Sequence, residues 1–356
     1  AAASDSSGCQ VTLMSRYSSV LRTKVWGGIP VSLPGMALFA FLGFWGSYLL
    51  ASKRHTERTA AYFTLLAWTV PLLTSCVMGY LALVELDAAC KLCIGIYTCS
   101  TLGFLTSIGL VWAARKEPVA PNADTSPRRE MIAAAVGVVF IMLPIAGYVA
   151  SMPDYSEFAG GCGELRNPQI PNDLLVSLGG SATGRATIEV LDPLCPSCKG
   201  LEGRLQASGL DAQLNRKALL FPLDNACNWM VSTSLHPGAC AISEAMLCEP
   251  SQANAILAWA FENQPAITDA ERATEGSAAR MVTERFPDVR GCVGSARIGQ
   301  RLNRGLRWAV TNQIPVLTPQ LFVEGRKVCN EDTDLGLEYT LSRMLETPAV
   351  AQGGAR

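Results

Sequence analysis

Charged side chains, histidine and excess positive charge are all scarce in this chain of 356 residues. Asp, Glu, Lys and Arg make up 17 % of it, against about 25 % in a typical soluble domain, which disfavours an ordinary soluble enzyme. The 29 basic and 30 acidic residues nearly balance, so the chain lacks the basic surface that a nucleic-acid-binding protein needs. Only 2 histidines occur, His55 and His236, which excludes a histidine-rich metal centre, and no metal site is predicted.

Cysteine is abundant, and the mean hydropathy is high. The 13 cysteines are too many for an ordinary cytosolic enzyme and too few for a small scaffold held by disulfides. Apolar residues make up 49 % of the chain, which is ordinary, but the mean hydropathy of +0.23 is high for a soluble enzyme. These features together indicate a membrane protein with redox-active or bridged thiols.

Four charge-free stretches predict four transmembrane helices. Each is long enough to cross a hydrocarbon core, which needs about 20 residues. The alternative, a buried core helix, could account for a single stretch of this kind but does not account for four in succession. The stretches are Val25–Ser52, Thr59–Val84, Leu92–Ala114 and Met131–Pro153.

The connecting loops predict how these helices are oriented. Ala51–Ala60 and Ala114–Glu130 are basic, whereas Glu85–Lys91 is short and acidic. Because basic loops stay on the cytoplasmic side, the acidic loop and everything after Pro153 are expected outside. An N-terminus that starts outside predicts one further span before Ala1.

The second half of the chain predicts a soluble α/β domain of thioredoxin-like layout, with a helical insertion. Gly179–Ser181, before the first strand of this series, predicts a hairpin turn. The predicted elements are a strand at Ala186–Leu191, a helix at Leu201–Ser208, a strand at Leu219–Pro222, a helical region at Asn225–Arg307, a hairpin about Glu324–Gly325 and a helix at Leu335–Leu345.

Cys195-Pro196-Ser197-Cys198 is the strongest chemical signal in the sequence, because it follows a predicted strand and opens a predicted helix. A helix N-terminus favours a thiolate, so the pKa of Cys195 is expected to be lowered. Cys195 is expected to be the exposed, attacking thiol, and Cys198 to resolve the mixed disulfide. A structural disulfide or half of a zinc site are the alternatives. No second C-x-x-C lies at zinc-ribbon spacing, which favours the redox pair.

The soluble half resembles the thioredoxin-fold dithiol oxidases of the DsbA type. The resemblance rests on the CPSC sequence, on the helical insertion and on the run from Thr318 to Gly325. It implies that the Thr318–Pro319 bond is cis, that it faces the active-site thiols, and that its backbone binds partner peptides.

Cys90-Lys91-Leu92-Cys93 begins the third span, and its continuation CKLCIGIY resembles the vitamin K epoxide reductase family. The resemblance implies that Cys90 and Cys93 face a quinone (ubiquinone or menaquinone) and that Tyr97 lines its pocket. Tyr97 lies four residues after Cys93, on the same helical face. The alternative role for Tyr97 is that of an interfacial aromatic anchor.

Cys9 and the segment that follows it resemble the outer loop of the same family. Gly28-Ile29-Pro30 leads into the first span, as in that loop. The family's loop holds two shuttle cysteines, of which Cys9 matches the second. A cysteine before Ala1, on the expected further span, would complete the pair.

Eight cysteines remain. Cys76 and Cys99 fall inside predicted spans and are expected to be small buried residues. Six lie in the outer domain, where an oxidising compartment favours three disulfides out of 15 possible connectivities. Sequence proximity and flanking pattern favour the pairs Cys227–Cys240, Cys248–Cys292 and Cys162–Cys329.

Together these features predict a multi-pass protein of the bacterial inner membrane with a periplasmic thioredoxin-like domain. It would oxidise reduced exported proteins and pass electrons from Cys195 and Cys198 through Cys9 and the Cys90–Cys93 pair to quinone. Reverse flow, as a reductase or isomerase, and a tethered binding module or chaperone are the alternatives. The predicted divisions are an outer loop at 1–28, a helical bundle at 29–153, a linker at 154–166, the thioredoxin-like domain at 167–348 and a tail at 349–356.

Overall fold

The computed structural model describes residues 9, 12, 15–86, 89–116, 128–159 and 161–346. The predicted tail at 349–356, and the part of the second basic loop at 117–127, lie outside the described residues. The chain forms two compact units that divide after Pro153.

The first unit contains four helices that are long and apolar enough to cross a membrane. This number agrees with the four charge-free stretches of the sequence. The helix that ends at Tyr80 continues into a π-helical turn, Leu81–Glu85. The helices are α1 (Ser32–Ala51), α2 (Arg58–Tyr80), α3 (Lys91–Lys116) and α4 (Arg128–Ser151).

Aromatic side chains and small residues hold these helices together. Gly103 of α3 lies so close to Trp68 of α2 that a Cβ there would come within 2.2 Å of the indole ring. The indole N–H of Trp45 in α1 donates a hydrogen bond of 3.0 Å to the hydroxyl of Thr64 in α2. The carbonyl of Ala114, at the end of α3, accepts a hydrogen bond from Arg58, at the start of α2. The start of α2 and the end of α3 therefore lie at the same end of the bundle.

A short antiparallel hairpin precedes α1. Its strands are β1 (Ser19–Val20) and β2 (Ile29–Pro30). Gly28 adopts φ +74°, and a Cβ there would approach the Val20 carbonyl oxygen to 2.7 Å, so only glycine fits. The hydroxyl of Tyr148 in α4 donates to the Gly28 carbonyl, which ties this hairpin to the bundle.

The second unit is built on a five-stranded mixed sheet with the order β3-β5-β4-β6-β7. The central strand β4 runs parallel to β5 and antiparallel to β6. In chain order the strands are first, third, second, fourth and fifth, which is the thioredoxin order. The strands are β3 (Leu175–Gly180), β4 (Arg185–Leu191), β5 (Leu214–Leu220), β6 (Gln320–Val323) and β7 (Arg326–Lys327).

Six α-helices complete the described part of this unit, and three disulfides brace it. The pairs Cys227–Cys240, Cys248–Cys292 and Cys162–Cys329 are all bonded, so the predicted connectivity is confirmed. The helices are α5 (Pro196–Ser208), α6 (Ala239–Cys248), α7 (Ala253–Ala273), α8 (Ser277–Arg285), α9 (Ala296–Thr311) and α10 (Leu337–Glu346).

Two local predictions in this unit differ from the structure. Gly179 and Gly180 do end a strand, but β3 pairs with β5 and not with β4, so the predicted hairpin turn there is wrong. The turn joins two strands that a third one separates, which local sequence does not reveal. Cys162 and Leu165, placed in the linker by the sequence, instead join the domain: Cys162 is bonded to Cys329, and the amide of Leu165 donates to the Gly325 carbonyl.

Candidate active site

Cys195 and Cys198 lie at the N-terminus of α5, where β4 ends. Cys195 is the N-cap residue and Pro196 occupies the first turn, where its missing N–H is no loss. The amide of Lys199 donates to the Cys195 carbonyl, which begins the helix. Both thiols are free. The strand–helix junction predicted from the sequence therefore holds the pair.

The pKa values of the two thiols are shifted in opposite directions. A hydrogen bond from the Cys198 thiol is the main reason that the pKa of Cys195 falls to about 6, against the desolvation caused by burial. Burial, with the neighbouring Cys195 sulfur, raises the pKa of Cys198 well above its ordinary value. Cys195 is therefore suited to be the nucleophile and Cys198 the protonated partner.

The expected exposure of Cys195 is wrong for this structure. Cys195 is 5 % exposed and Cys198 is fully buried. Gln264, from α7 of the helical insertion, donates its side-chain N–H to the Cys195 carbonyl at 3.0 Å. The Thr318 carbonyl lies 3.6 Å from the Cys195 sulfur. The helical insertion and the Thr318 loop thus both contact Cys195, which the order of residues along the chain does not show.

The Thr318–Pro319 bond is cis, as the resemblance implied. Its position follows from the sheet, because β6 begins at Gln320 and pairs antiparallel with β4. Gln320 lies opposite Val190, near the end of the strand that leads to Cys195. The side-chain amide of Gln320 donates to the carbonyls of Pro315 and Leu317, at 2.9 and 2.7 Å, and so holds the loop.

Asp192 and His236 form a polar pair beside the thiols. Asp192 is fully buried and accepts hydrogen bonds from the amides of Leu194 and Leu223, both at 2.7 Å. It also bonds Nδ1 of His236 at 2.7 Å. Burial lowers the pKa of His236, but the Asp192 bond and the nearby Cys195 sulfur raise it more, so the net shift is upward. The sequence shows His236 only as one of two histidines and does not identify Asp192. The one available signal was a carboxylate at the end of an apolar strand.

A second buried carboxylate lies in β4. Glu189 is fully buried, and burial raises its pKa to about 7 against the attraction of Arg216. The Arg216 guanidinium bonds Glu189 at 3.0 Å and Asp211 at 2.8 Å, and it also pairs with Glu202. The Glu189 charge acts on Cys198 and raises its pKa further. The sequence does not reveal this cluster, because its members lie on four separate segments.

The membrane unit holds a second thiol centre. Cys9 is disulfide-bonded to Cys90, and Cys93 is free in the first turn of α3. Tyr97 lies one turn further along and its side chain interacts with the Cys93 thiol. The Tyr97 ring packs against Gly79 of α2, where a Cβ would lie 3.5 Å from the ring. The predicted residues Cys9, Cys90, Cys93 and Tyr97 are thus brought together in this unit.

The remaining cysteines of the bundle are placed differently from the prediction. Cys76 and Cys99 lie inside the apolar helices as expected, but both are exposed on the surface of the unit. An exposed apolar surface on a membrane helix faces lipid, so the absence of protein packing costs these small side chains little. Neither residue takes part in the thiol centre.

The fold and the paired thiols define a membrane thiol-disulfide oxidoreductase that carries a thioredoxin-like domain. Residues 1–108 match the model of the "Vitamin K epoxide reductase family", which confirms the resemblance noted for the first part of the chain. This domain includes Cys9, Cys90, Cys93 and Tyr97. No curated protein matches the chain at a significant level.

Two solved structures are similar to about half or more of the chain. ScsC from Proteus mirabilis, in a transitional conformation, is 12 % identical with a TM-score of 0.35, and the match covers 61 % of this chain and 97 % of that one. The oxidoreductase DsbA from Xylella fastidiosa is 18 % identical with a TM-score of 0.30, over 49 % of this chain and 97 % of that one. Because both TM-scores are low, these matches do not establish the fold, and the thioredoxin-like assignment of this domain rests on its strand order.

Proposed function

We propose that this protein generates disulfides in exported proteins and transfers the electrons to a membrane quinone. The observation that carries the proposal is the Cys9–Cys90 disulfide beside a free Cys93. A bond between an outer-segment cysteine and one member of a C-x-x-C pair is the intermediate expected when electrons pass between them. Cys195, Cys198 and Cys93 are the other thiols of the relay.

Substrate oxidation begins at Cys195. A substrate thiolate attacks the Cys195 sulfur of the Cys195–Cys198 disulfide and releases Cys198, which takes a proton. The second substrate thiol then attacks the substrate sulfur of the mixed disulfide, and Cys195 leaves as a thiolate. The pKa of about 6 makes Cys195 a good leaving group at neutral pH, which favours this direction.

The relay then reoxidises the pair through Cys9. The Cys9 thiolate attacks Cys90 of a Cys90–Cys93 disulfide, forming Cys9–Cys90 and releasing Cys93. The Cys195 thiolate attacks Cys9 and releases Cys90, and Cys198 resolves the resulting Cys195–Cys9 bond. Two electrons have then moved to Cys90 and Cys93, and Cys9 is a thiol again.

The residues around Cys93 fit a quinone. Tyr97 has a phenolic O–H, half-buried beside the Cys93 thiol, that could donate to a quinone carbonyl. Ile94 and Ile96 on the same turns are exposed apolar side chains that can line a hydrophobic ring. A bound quinone supplies a two-electron acceptor soluble in the membrane. Tyr97 would orient it, and Cys93 would be the thiolate that faces it.

Exposed apolar side chains near Cys195 support protein substrates. Val316 and Leu317 precede the Thr318–Pro319 loop and are 46 % and 37 % exposed, and Leu235, next to His236, is 61 % exposed. An unfolded chain could pair with the Thr318 backbone and place apolar residues on this surface. Such binding would select reduced chains that have not yet buried their side chains.

The test uses the full chain in membranes with a reduced dithiol protein and a soluble quinone analogue. Oxidation of the protein thiols and formation of quinol are measured together, and they should proceed in equal amounts. Cys195→Ser and Cys93→Ser should each abolish quinol formation. Cys76→Ser and Cys99→Ser are matched controls, because both thiols are free and outside the proposed relay.

A trapping experiment tests the order of the steps. Treated with the thiol oxidant diamide, which supplies the two-electron oxidation that quinone cannot deliver without Cys93, the Cys93→Ser variant should accumulate the Cys9–Cys90 disulfide, which mass spectrometry of the alkylated protein detects. Cys90→Ser should not accumulate any bond to Cys9. Activity of Cys195→Ser at the wild-type rate, or no Cys9–Cys90 bond in the Cys93→Ser variant, would contradict the proposed relay.

The reverse direction makes a different prediction. A reductase or isomerase would consume quinol and open disulfides in its substrate. Three disulfides brace the same domain, and a reducing relay would endanger them. Net reduction of a disulfide substrate by quinol, with no net oxidation of a dithiol, would favour that alternative. A chaperone or binding module would transfer no electrons in either direction.

A further inference from the structure

A cavity of about 330 Å³ lies in the helical bundle where α1 ends and α4 begins. This is the end of the bundle opposite to Cys90, which precedes α3. One wall is aromatic and is made by the side chains of Phe41, Phe44, Trp45 and Tyr48. Aromatic residues of this kind are typical of the border between hydrocarbon and headgroups. Three charged residues, Arg54, Arg129 and Glu130, also line the cavity.

Glu130 is the unusual member of this lining. It is 8 % exposed, and its Oε2 is buried with no hydrogen-bond partner among the described residues. A buried carboxylate oxygen without a donor is costly, so an occupant with N–H groups would satisfy it. The carboxylate therefore points to a ligand that carries a cationic donor.

The two arginines differ in whether their guanidinium groups already form hydrogen bonds. Arg54 donates to Glu57 through two nitrogens, so much of its charge is already compensated. Arg129 is exposed and forms no hydrogen bond or ion pair with the described part of the chain. A guanidinium at the membrane border binds phosphate with directed hydrogen bonds. The cavity thus combines one anionic acceptor with one available cationic donor.

We propose that this cavity binds the headgroup of an aminophospholipid, phosphatidylethanolamine. The ammonium of the lipid donates to Glu130 and its phosphate accepts from Arg129. Its acyl chains lie against the aromatic wall and the exposed side chain of Ile132. A choline headgroup carries the same charges but has no N–H to donate. A glycerol headgroup has hydroxyls but no cation for the carboxylate.

The first test uses wild-type full-length protein and needs no variant. Delipidated protein in detergent is titrated with short-chain lipids whose headgroup nitrogen carries zero, one, two or three methyl groups, and bound lipid is counted by native mass spectrometry. One lipid should bind with affinity that falls at each methylation, by about tenfold or more in total. Equal affinity across the series, or equally tight binding of a phosphatidylglycerol, would overturn the assignment.

Two variants test which charged side chain recognises which part of the lipid headgroup. Glu130→Gln should remove most of the preference for ethanolamine over choline, while Arg129→Gln should weaken both lipids several-fold and keep the preference. Glu85→Gln, an exposed carboxylate at the other end of the bundle, is the matched control and should bind as wild type. Thermal unfolding of each variant checks that the bundle is intact. A Glu130→Gln variant that is folded and keeps the full preference would refute the role of this carboxylate.

Discussion

Replacement of Cys198 tests how the acidity of Cys195 arises. The Cys195 pKa lies at about 6 instead of 9.0, and the hydrogen bond from Cys198 is the largest cause. At pH 7 the Cys195 thiol is then about nine-tenths ionised. Taken for Cys195 alone, linkage gives the reduced domain about 1.4 kcal/mol of stability at pH 7. Because the folded-state pKa is lowered, this stability is fully present above the ordinary pKa and is lost as the pH falls through 6.

Cys198→Ala removes the donor and Cys198→Ser retains one. A hydrogen bond to a charged group contributes roughly 1.5–3 kcal/mol, which corresponds to about one to two pKa units. The Cys195 pKa should therefore rise to about 7–8 in Cys198→Ala and stay nearer 6 in Cys198→Ser. Ultraviolet thiolate absorbance and the rate of alkylation against pH give both values, with Cys195→Ser as the blank for the other thiols. An unchanged pKa in Cys198→Ala would refute the hydrogen bond as the cause and leave the helix N-terminus.

Three further predictions concern other parts of the molecule. His236→Gln should destabilise the reduced domain most below about pH 6.5, because the raised pKa of the imidazole contributes stability that is lost as the pH rises. The same loss of unfolding free energy at every pH in denaturant titrations would contradict this. Tyr97→Phe should slow quinone reduction several-fold while thiol exchange at Cys195 continues, and a normal rate and affinity would leave Tyr97 as an interfacial anchor. Gly103→Ala should lower the stability of the bundle by about 1–3 kcal/mol because its Cβ meets an indole ring, whereas Gly109→Ala, with open space around it, should be near neutral in thermal unfolding.

Local sequence patterns were sufficient for much of the architecture. A span is a property of one segment, since length and absence of charge decide whether it can cross a membrane, and all four predicted spans are long apolar helices. The CPSC pair depends only on the strand before it and the helix after it, and both are present. Two of the disulfide pairs were also predicted from sequence proximity, because no other cysteine lies between Cys227 and Cys240 or between Cys248 and Cys292.

The tertiary structure alone decided which distant residues meet. The low exposure of Cys195 comes from Gln264 and Thr318, which are far away in the chain, so its own motif could not reveal it. The contact between Asp192 and His236, and the open carboxylate oxygen of Glu130, likewise depend on how separate elements pack. Hydrophobic pattern and length act within a segment, whereas burial and hydrogen bonding of a single polar group are set by every element packed around it. For this protein, the position of each long apolar helix is therefore determined by local sequence, whereas the chemical state of each thiol and carboxylate is determined by the packed fold.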